Sequence, residues 1–410
     1  MAADVLNELT SKKADAVVER FSDKMKELLP ANKLKLTMVQ LEFVAGSFKE
    51  NGPIKTIAKD PLTIEATAYH QRKALVYRLT FQGKLLIGLY VRPESLPTGD
   101  SASDPASASN ETDVSIARDG FSLSGTLCLP SEGRLAQPVP LVIFHSGSGP
   151  TDRNGNGPLI ETNATLKLAR ALANQGIASV RYDKRGSGKT GLGGSESDLR
   201  AKTYVDDYKA WISRYASDKR FSKLVLLGHS EGAHFAFQAA HNNPPVAGVI
   251  SVAGSGRPFN ELLRSQLKNK LPEPLYSEAD SILNQLALGK VVEEVSVELV
   301  SVLRPSVQPF FISLLESTPE NDARTLSVPL MVVQGDQDMQ VSIEDANRLE
   351  QAGKKVEKVI VEGMNHVLVD IDAPEKQLAS YSNPDLPLSK KLAPSIAKFV
   401  WEIAGGDHEN

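Results

Sequence analysis

The stretch 224–232, LVLLGHSEG, constrains the fold of this chain more than any other. Four apolar residues lead into Gly228, and small and apolar residues follow Gly232, which predicts a buried strand that turns directly into a buried helix. The core of the stretch has the G-x-S-x-G pattern of a nucleophile elbow, where only small flanking residues fit around a serine at the corner. Because a five-letter pattern also occurs by chance, Ser230 is a candidate nucleophile only if its chemical partners are present elsewhere.

Candidates for those partners lie further along the chain. A serine hydroxyl needs a base to remove its proton, and the base needs a third group to fix its tautomer. Asp338 follows a predicted buried strand in VPLMVVQGDQDMQVS and is our choice for the acid, with Asp336 as the alternative. His366 lies in VIVEGMNHVLVD, just beyond the next predicted strand, where a histidine is placed for general base work.

A tetrahedral intermediate carries negative charge and requires N–H donors, and the sequence offers two. One is the backbone N–H of Glu231, the residue after the serine. The other is expected in the loop HSGSGPTDRNGN, where we favour Gly147 and keep Ser148 as the alternative. A phosphate cradle is the competing interpretation of this loop, but neither it nor YDKRGSGKT has the spacing of a phosphate-binding motif.

Strand and helix patterns alternate from residue 114 onward. This alternation predicts an α/β fold with a mainly parallel, eight-stranded sheet covered by helices on both faces. A helical, apolar stretch at about 255–325 interrupts the alternation between two strands. We expect it to form a cap over the site, because ligands of such sheets bind beyond the carboxyl ends of the strands. A plain helical insertion without substrate contact is the alternative.

The residues 1–93 predict a separate small α+β domain. Apolar spacing predicts helices over 14–29 and 37–48, and three short runs predict strands over 63–69, 74–81 and 84–91. We find no catalytic constellation in this domain and expect a binding or assembly role, with a homodimer as one such assembly. The segment 94–113 is rich in Ser, Pro, Ala and Asp, and is expected to be a flexible linker to a catalytic domain at 114–410.

Length and composition narrow the classes of protein further. A chain of 410 residues predicts two domains, and a formal net charge of -4 argues against nucleic acid or an anionic membrane as the main partner. The single cysteine, Cys128, excludes an intrachain disulfide framework and a cysteine-based zinc site. No apolar run reaches the roughly 18 to 20 residues of a membrane-spanning helix. The N-terminal stretch lacks an apolar signal core, and both a cytoplasmic and an exported location stay open.

The motifs GHSEG, HSGSGPTDRNGN, RYDKRGSGKT, QGDQDMQV and MNHV together resemble the α/β-hydrolase family, specifically bacterial serine esterases close to the serine aminopeptidase-like group. The first 93 residues resemble the small domain of unknown function often found ahead of such esterases. The resemblance implies hydrolysis of short-acyl carboxylic esters by Ser230, Asp338 and His366, without a metal or a cofactor. Asn154 departs from the aspartate that is usual in relatives, which removes a charge near the oxyanion loop.

Two other functions compete with ester hydrolysis. The same three residues can cleave amides, so peptide or amide hydrolysis is one alternative. A non-catalytic binding protein that keeps the fold is the other, although the chain has a candidate for each member of a triad. The acyl chain length depends on how the predicted cap folds over Ser230.

Overall fold

The computed structural model describes residues 2–71, 74–93, 110–130, 137–157, 160–268, 270–296, 298–373 and 376–406. The chain divides into two compact units, Met1–Ser103 with Glu294–Arg304 and Asp104–Glu293 with Pro305–Asn410. Most of the predicted linker, 94–109, lies outside the described residues, and its last three positions are the first of a strand in the second unit. The G-x-S-x-G stretch and its predicted partners all belong to the second unit.

The first unit contains a four-stranded sheet and several short helices among its described residues. The helices that precede this sheet in the chain are α1 (Ala2–Thr10), α2 (Ala14–Glu19), α3 (Asp23–Leu28) and α4 (Ala31–Ala45), and the strands are β1 (Phe48–Lys59), β2 (Leu62–His70), β3 (Ala74–Gln82) and β4 (Leu85–Pro93). The strands pair in chain order and every pair is antiparallel.

The single helix predicted over 14–29 is wrong, because the chain forms α2 and α3 there. Ser22 begins the second of these helices, and its Oγ accepts a hydrogen bond from Met25 N at 3.4 Å. A serine N-cap inside an apolar pattern of helical period leaves the period unchanged, so spacing alone conceals the break. The structure also adds α1 and β1, which the patterns did not predict; β1 is an edge strand that is mostly exposed.

The core of the first unit is apolar. Alternate residues of a strand share a face, and Leu75, Tyr77, Leu79 and Phe81 of β3 are all buried. These side chains belong to one cluster with apolar residues of α1 and α2. Thr67 is the one buried polar residue among those that the structure describes in this unit.

The second unit contains the larger sheet, with eight strands in the part of the chain that is described. They are β5 (Glu111–Arg118), β6 (Phe121–Cys128), β7 (Val139–His145), β8 (Ala178–Tyr182), β9 (Phe221–His229), β10 (Val246–Val252), β11 (Leu330–Gly335) and β12 (Val356–Val361). Their order is β12-β11-β10-β9-β7-β8-β6-β5. The strands from β7 to β12 run parallel, whereas β5 and β6 pair antiparallel. The predicted α/β fold with a mainly parallel, eight-stranded sheet is confirmed.

Helices cover both faces of the larger sheet. The remaining helices are α5 (Ala164–Ala173), α6 (Ala201–Tyr215), α7 (Glu231–Ala240), α8 (Phe259–Lys268), α9 (Leu275–Ala287), α10 (Val300–Leu303), α11 (Gln308–Leu314), α12 (Pro319–Thr325), α13 (Ile343–Ala352), α14 (Lys376–Ser380) and α15 (Leu392–Ala404). On β9, Leu224 and Leu226 pack with residues of α6 and α7, whereas Val225 and Leu227 pack with residues of α5 and α15. A strand that is buried on both faces has consecutive apolar residues, which explains the letters LVLL.

The stretch predicted as a cap is an insertion between β10 and β11, and it is largely helical from α8 to α12. Its piece Glu294–Arg304, which contains α10, belongs to the first unit. A polar contact joins α12 to α7, because His234 Nε2 lies 2.8 Å from Asp322 Oδ2. This contact accounts for a histidine within the helix that follows the G-x-S-x-G corner.

Candidate active site

The backbone makes the sharp corner that the G-x-S-x-G pattern predicts. Ser230 stands between β9 and α7 with φ 53° and ψ -123°, a strained conformation for a residue with a side chain. A Cβ atom at Gly228 would lie 2.2 Å from Gly232 O, and one at Gly232 would lie 2.3 Å from His145 O. Both flanking positions therefore require glycine, and the corner presents Ser230 at the carboxyl edge of the sheet.

The acid and base candidates meet at the same edge. Gly335 pairs with Val361 at the ends of β11 and β12, so the loops that follow these strands begin side by side. Gly335 lets them approach closely, because a Cβ atom there would lie 2.0 Å from Met364 O. His366 Nδ1 and Asp338 Oδ2 are 2.8 Å apart, and both side chains are almost completely buried.

The surroundings of Asp338 keep its carboxylate ionised. Burial raises the pKa of this carboxyl, but the His366 imidazole and the backbone N–H groups of Gln340 and Val341 outweigh burial, so the pKa lies below 3.8. The two N–H groups donate to Asp338 Oδ1 at 2.7 and 3.0 Å. Because a carboxylate only accepts, His366 Nδ1 donates this hydrogen bond, and in the neutral imidazole the lone pair is then on Nε2. That tautomer suits a general base.

The alternative acid, Asp336, has a different contact. Its Oδ1 accepts a hydrogen bond from Gly363 N at 2.7 Å and so joins the loops that follow β11 and β12. The structure therefore brings Asp338, and not Asp336, to the His366 ring.

His229 connects the Ser230 corner to the His366 loop. Its Nε2 donates to His366 O at 2.9 Å, and the two rings are 5.0 Å apart between centroids. Burial and the neighbouring His366 lower the pKa of His229 to about 4, so this ring is neutral near pH 7. Among the described residues Ser230 Oγ makes no hydrogen bond to His366; catalytic hydrogen bonds are often long before substrate binds.

The predicted oxyanion donors both lie beside the serine. Glu231 follows it as the first residue of α7. A Cβ atom at Gly147 would lie 3.1 Å from Ser230 Cβ, so the loop after β7 passes directly over the corner. Gly147 is buried, whereas the alternative, Ser148, is exposed.

Several residues that support this site were missed from the sequence. Asn365 Nδ2 donates to Gln377 Oε1 at 3.2 Å and to Ser380 Oγ at 2.9 Å. Gln377 Nε2 in turn donates to Gln337 O at 2.7 Å, so the unpredicted helix α14 braces the loops of both the acid and the base. The asparagine that adjoins His366 in MNHV was the one available signal for this support.

Asn154, the departure from the family pattern, has a structural contact. Its Oδ1 accepts from Arg181 Nη1 at 3.1 Å, and the other end of that guanidinium is paired with Glu111 at 2.7 Å. Arg181 is 2% exposed, so its charge needs partners inside the protein. An asparagine at 154 supplies a neutral acceptor where an aspartate would supply a second anion.

Neither a metal-binding group nor a membrane-spanning helix is found in the described part of the chain. No group of three or more His, Cys, Asp or Glu side chains in it is arranged to hold a metal ion. None of the helices in it combines the length and the apolarity needed to cross a bilayer.

Comparison with known proteins assigns the chain to a family. The family model described as "Serine aminopeptidase, S33" matches residues 160–372, slightly more than half of the chain. The chain belongs to this family. The part that matches the S33 family contains Ser230, Asp338 and His366, whereas Gly147 precedes it.

Individual relatives extend the S33 comparison. Esterase EstD of Thermotoga maritima is 27% identical over 263 residues, which are 60% of this chain and 58% of that esterase. The chain thus spans less than two thirds of the length of EstD. A monoacylglycerol lipase of Mycolicibacterium smegmatis is 23% identical over 232 residues, 52% of this chain and 78% of that lipase. Among solved structures, Est1E from Butyrivibrio proteoclasticus shares the fold, with a TM-score of 0.50 at 16% identity over 72% of this chain and 99% of Est1E.

Proposed function

We propose that this chain is a carboxylic ester hydrolase that acts on short-acyl esters through Ser230, His366 and Asp338. The observation that carries the proposal is the hydrogen bond of 2.8 Å between His366 Nδ1 and Asp338 Oδ2, on loops that His229 ties to the serine corner. The names of the aligned relatives, an esterase and a monoacylglycerol lipase, favour an ester over an amide.

The proposed reaction follows from the roles of these atoms. Ser230 Oγ attacks the ester carbonyl carbon while His366 Nε2 takes its proton, and Asp338 stabilises the resulting imidazolium. The N–H groups of Glu231 and Gly147 bind the oxyanion of the tetrahedral intermediate. Collapse releases the alcohol, which receives the proton from His366. Water then attacks the acyl-enzyme by the same route and releases the carboxylic acid.

The variant Ser230→Ala tests the nucleophile. It should lower turnover of p-nitrophenyl butyrate by about 10⁴-fold or more and abolish labelling by a fluorophosphonate, because no hydroxyl remains to form the acyl-enzyme. The matched control is Ser213→Ala, which removes another serine hydroxyl, one that donates to Lys209 O on α6. Unchanged turnover in Ser230→Ala contradicts the proposal.

Two further assays separate the competing functions. Aminoacyl anilides beside p-nitrophenyl esters distinguish amide from ester hydrolysis, and a clear preference for anilides would overturn the ester assignment. Acetate, butyrate, octanoate and laurate esters test acyl length, and the two short esters should have the highest kcat/KM. A non-catalytic binding protein would not react with the fluorophosphonate at Ser230.

A further inference from the structure

Lys184 is a buried lysine that the reaction above does not use. It lies two residues beyond β8 and is 3% exposed. Its Nζ donates to Gly147 O at 2.8 Å and lies 3.3 Å from Glu231 Oε2. One ammonium group therefore contacts both residues proposed to supply oxyanion donors.

The Lys184 ammonium is a buried cation that lies beside a carboxylate and an aromatic ring. Burial lowers the pKa of the Lys184 ammonium, and the Glu231 carboxylate acts in the opposite direction. The Tyr204 ring adds a cation–π contact, with its centroid 4.8 Å from Nζ. Because desolvation offsets much of the attraction within a buried ion pair, such a pair is weak evidence for stability. The position of the pair suggests a different role.

Lys184 and His145 each hold one peptide group of the loop after β7, and the direction of these groups matters. A trans peptide is planar, with its N–H pointing opposite to its C=O. Gly147 O, held by Lys184, shares a peptide with the N–H of Ser148. Ser146 O accepts from His145 Nδ1 at 2.9 Å and shares a peptide with the N–H of Gly147. Whichever of the two N–H groups serves as the second donor, the carbonyl of its peptide is anchored from inside the protein.

We infer that Lys184 is a positioning residue of the oxyanion hole: by holding Gly147 O and the Glu231 carboxylate together, it sets the separation of the donors on the loop after β7 and on α7. The inference rests on the proposed function. Lys184 itself forms and breaks no bond in the reaction. Donors displaced by about 1 Å can lower a rate by about 100-fold, so a small movement of this loop has a measurable effect.

The test is Lys184→Met in the full chain, which keeps an unbranched side chain one atom shorter than lysine and removes its N–H donors. Turnover is expressed per active site, and the number of active sites is measured by titration to completion with a fluorophosphonate. We expect kcat to fall by about 10- to 100-fold with KM nearly unchanged, since oxyanion contacts act in the transition state. The affinity for a trifluoromethyl ketone, whose serine adduct carries an oxyanion, should fall by the same factor as kcat/KM.

The matched control is Lys167→Met. Lys167 Nζ also donates to a backbone carbonyl of the second unit, Leu386 O at 2.6 Å, and in the described part of the chain it makes no hydrogen bond to a residue of the proposed site. This variant should keep wild-type kcat and ketone affinity. A merely structural role for Lys184 would lower the titrated fraction and the melting temperature of Lys184→Met, with kcat per site and ketone affinity unchanged. That result overturns the inference.

Two more variants keep the test decisive. Glu231→Gln retains a side-chain oxygen for Nζ and should lose less kcat than Lys184→Met. If Lys184→Met does not fold because Glu231 is left unpaired, the double variant Lys184→Met with Glu231→Gln removes both charges and should show the loss of kcat. Wild-type kcat in that double variant refutes the inference.

The same measurements separate the inference from the proposed function. A wild type without ester turnover or labelling refutes the proposed function as well, whereas Ser230-dependent turnover that Lys184→Met leaves intact refutes the role of Lys184 alone.

Discussion

The first unit buries Thr67 as its one polar residue among those described, whereas the second buries a larger polar set that includes His145, Lys184, Asp345 and His366. Both units bury apolar sheet residues against helices, so the difference does not lie in how the sheets are covered. A buried polar group destabilises the fold unless it is hydrogen-bonded. In the second unit, Lys184 and His366 meet this requirement with contacts that also hold their side chains in fixed positions at the carboxyl edge of the sheet.

The glycines of the two units differ in the same way. In the first unit, a Cβ atom at Gly52 would come nearest to a side-chain atom, Tyr69 Cε2, at 2.8 Å. In the second unit, Cβ atoms at Gly228, Gly232 and Gly335 would lie 2.0 to 2.3 Å from backbone oxygens. Close backbone approach is thus concentrated where the proposed catalytic loops meet. We expect substitutions there to affect activity, and substitutions in the first unit to affect stability alone.

Among the variants that compare the two units, the largest effect is expected from Asp338→Asn. An amide permits the wrong tautomer of His366, so kcat/KM for p-nitrophenyl butyrate should fall by about 10⁴-fold with little change in the melting temperature. The control is Asp336→Asn, which keeps an oxygen to accept from Gly363 N and should retain most of the turnover. A larger loss in Asp336→Asn would reassign the acid.

A smaller effect is expected from Gly232→Ala. Its Cβ would lie 2.3 Å from His145 O and 2.7 Å from Ser146 O, so the corner or the oxyanion loop must move. Turnover should fall by about 100-fold and the free energy of unfolding by about 3 kcal/mol. Gly83→Ala is the comparison in the first unit, where φ is +60° but no atom lies within 4 Å. It should cost about 1 kcal/mol in urea unfolding and leave turnover intact.

The next largest effect is expected from Asp345→Asn, which should change how the free energy of unfolding depends on pH. Burial raises the pKa of Asp345, but Arg257, whose Nη2 donates to Oδ2 at 2.7 Å, outweighs burial and the pKa lies below 3.8. A carboxyl with a lowered folded pKa stabilises the fold above its unfolded pKa of about 3.9, and this contribution is lost as the pH falls through the folded value. Urea unfolding at pH 7 should show a loss of about 2 kcal/mol, and the difference should shrink below about pH 4. An equal loss at both pH values would contradict the ion-pair explanation.

The smallest effect is expected from Ile57→Thr on β1. This side chain is 53% exposed, so the free energy of unfolding should change by less than about 0.5 kcal/mol, with turnover unchanged. Light scattering on the same samples tests whether the exposed apolar residues of the first unit are covered in solution. A lower molecular mass for the variant would indicate that a second copy packs on this strand.

The elements predicted well from sequence are those whose burial leaves a clear local pattern of residues. Because β9 is buried on both faces, it appears as four consecutive apolar letters, and the corner after it requires glycines at 228 and 232. The order of Ser230, Asp338 and His366 could likewise be read as three polar residues that follow predicted strands. In the first unit the exposed edge strand β1 carries no such pattern, and the Ser22 cap divides a helix without disturbing its period.

The sequence by itself determined the fold class and the candidate set, since both follow from local pattern and chain order. It left Asp338 and Asp336 as alternatives, and only the loop that packs after β11 decided which carboxylate reaches His366 Nδ1. It did not reveal Lys184, whose contacts with Gly147 and Glu231 span 37 and 47 residues of chain. No local pattern records a contact between loops that only the order of the strands brings together, so such contacts become visible in the tertiary structure alone.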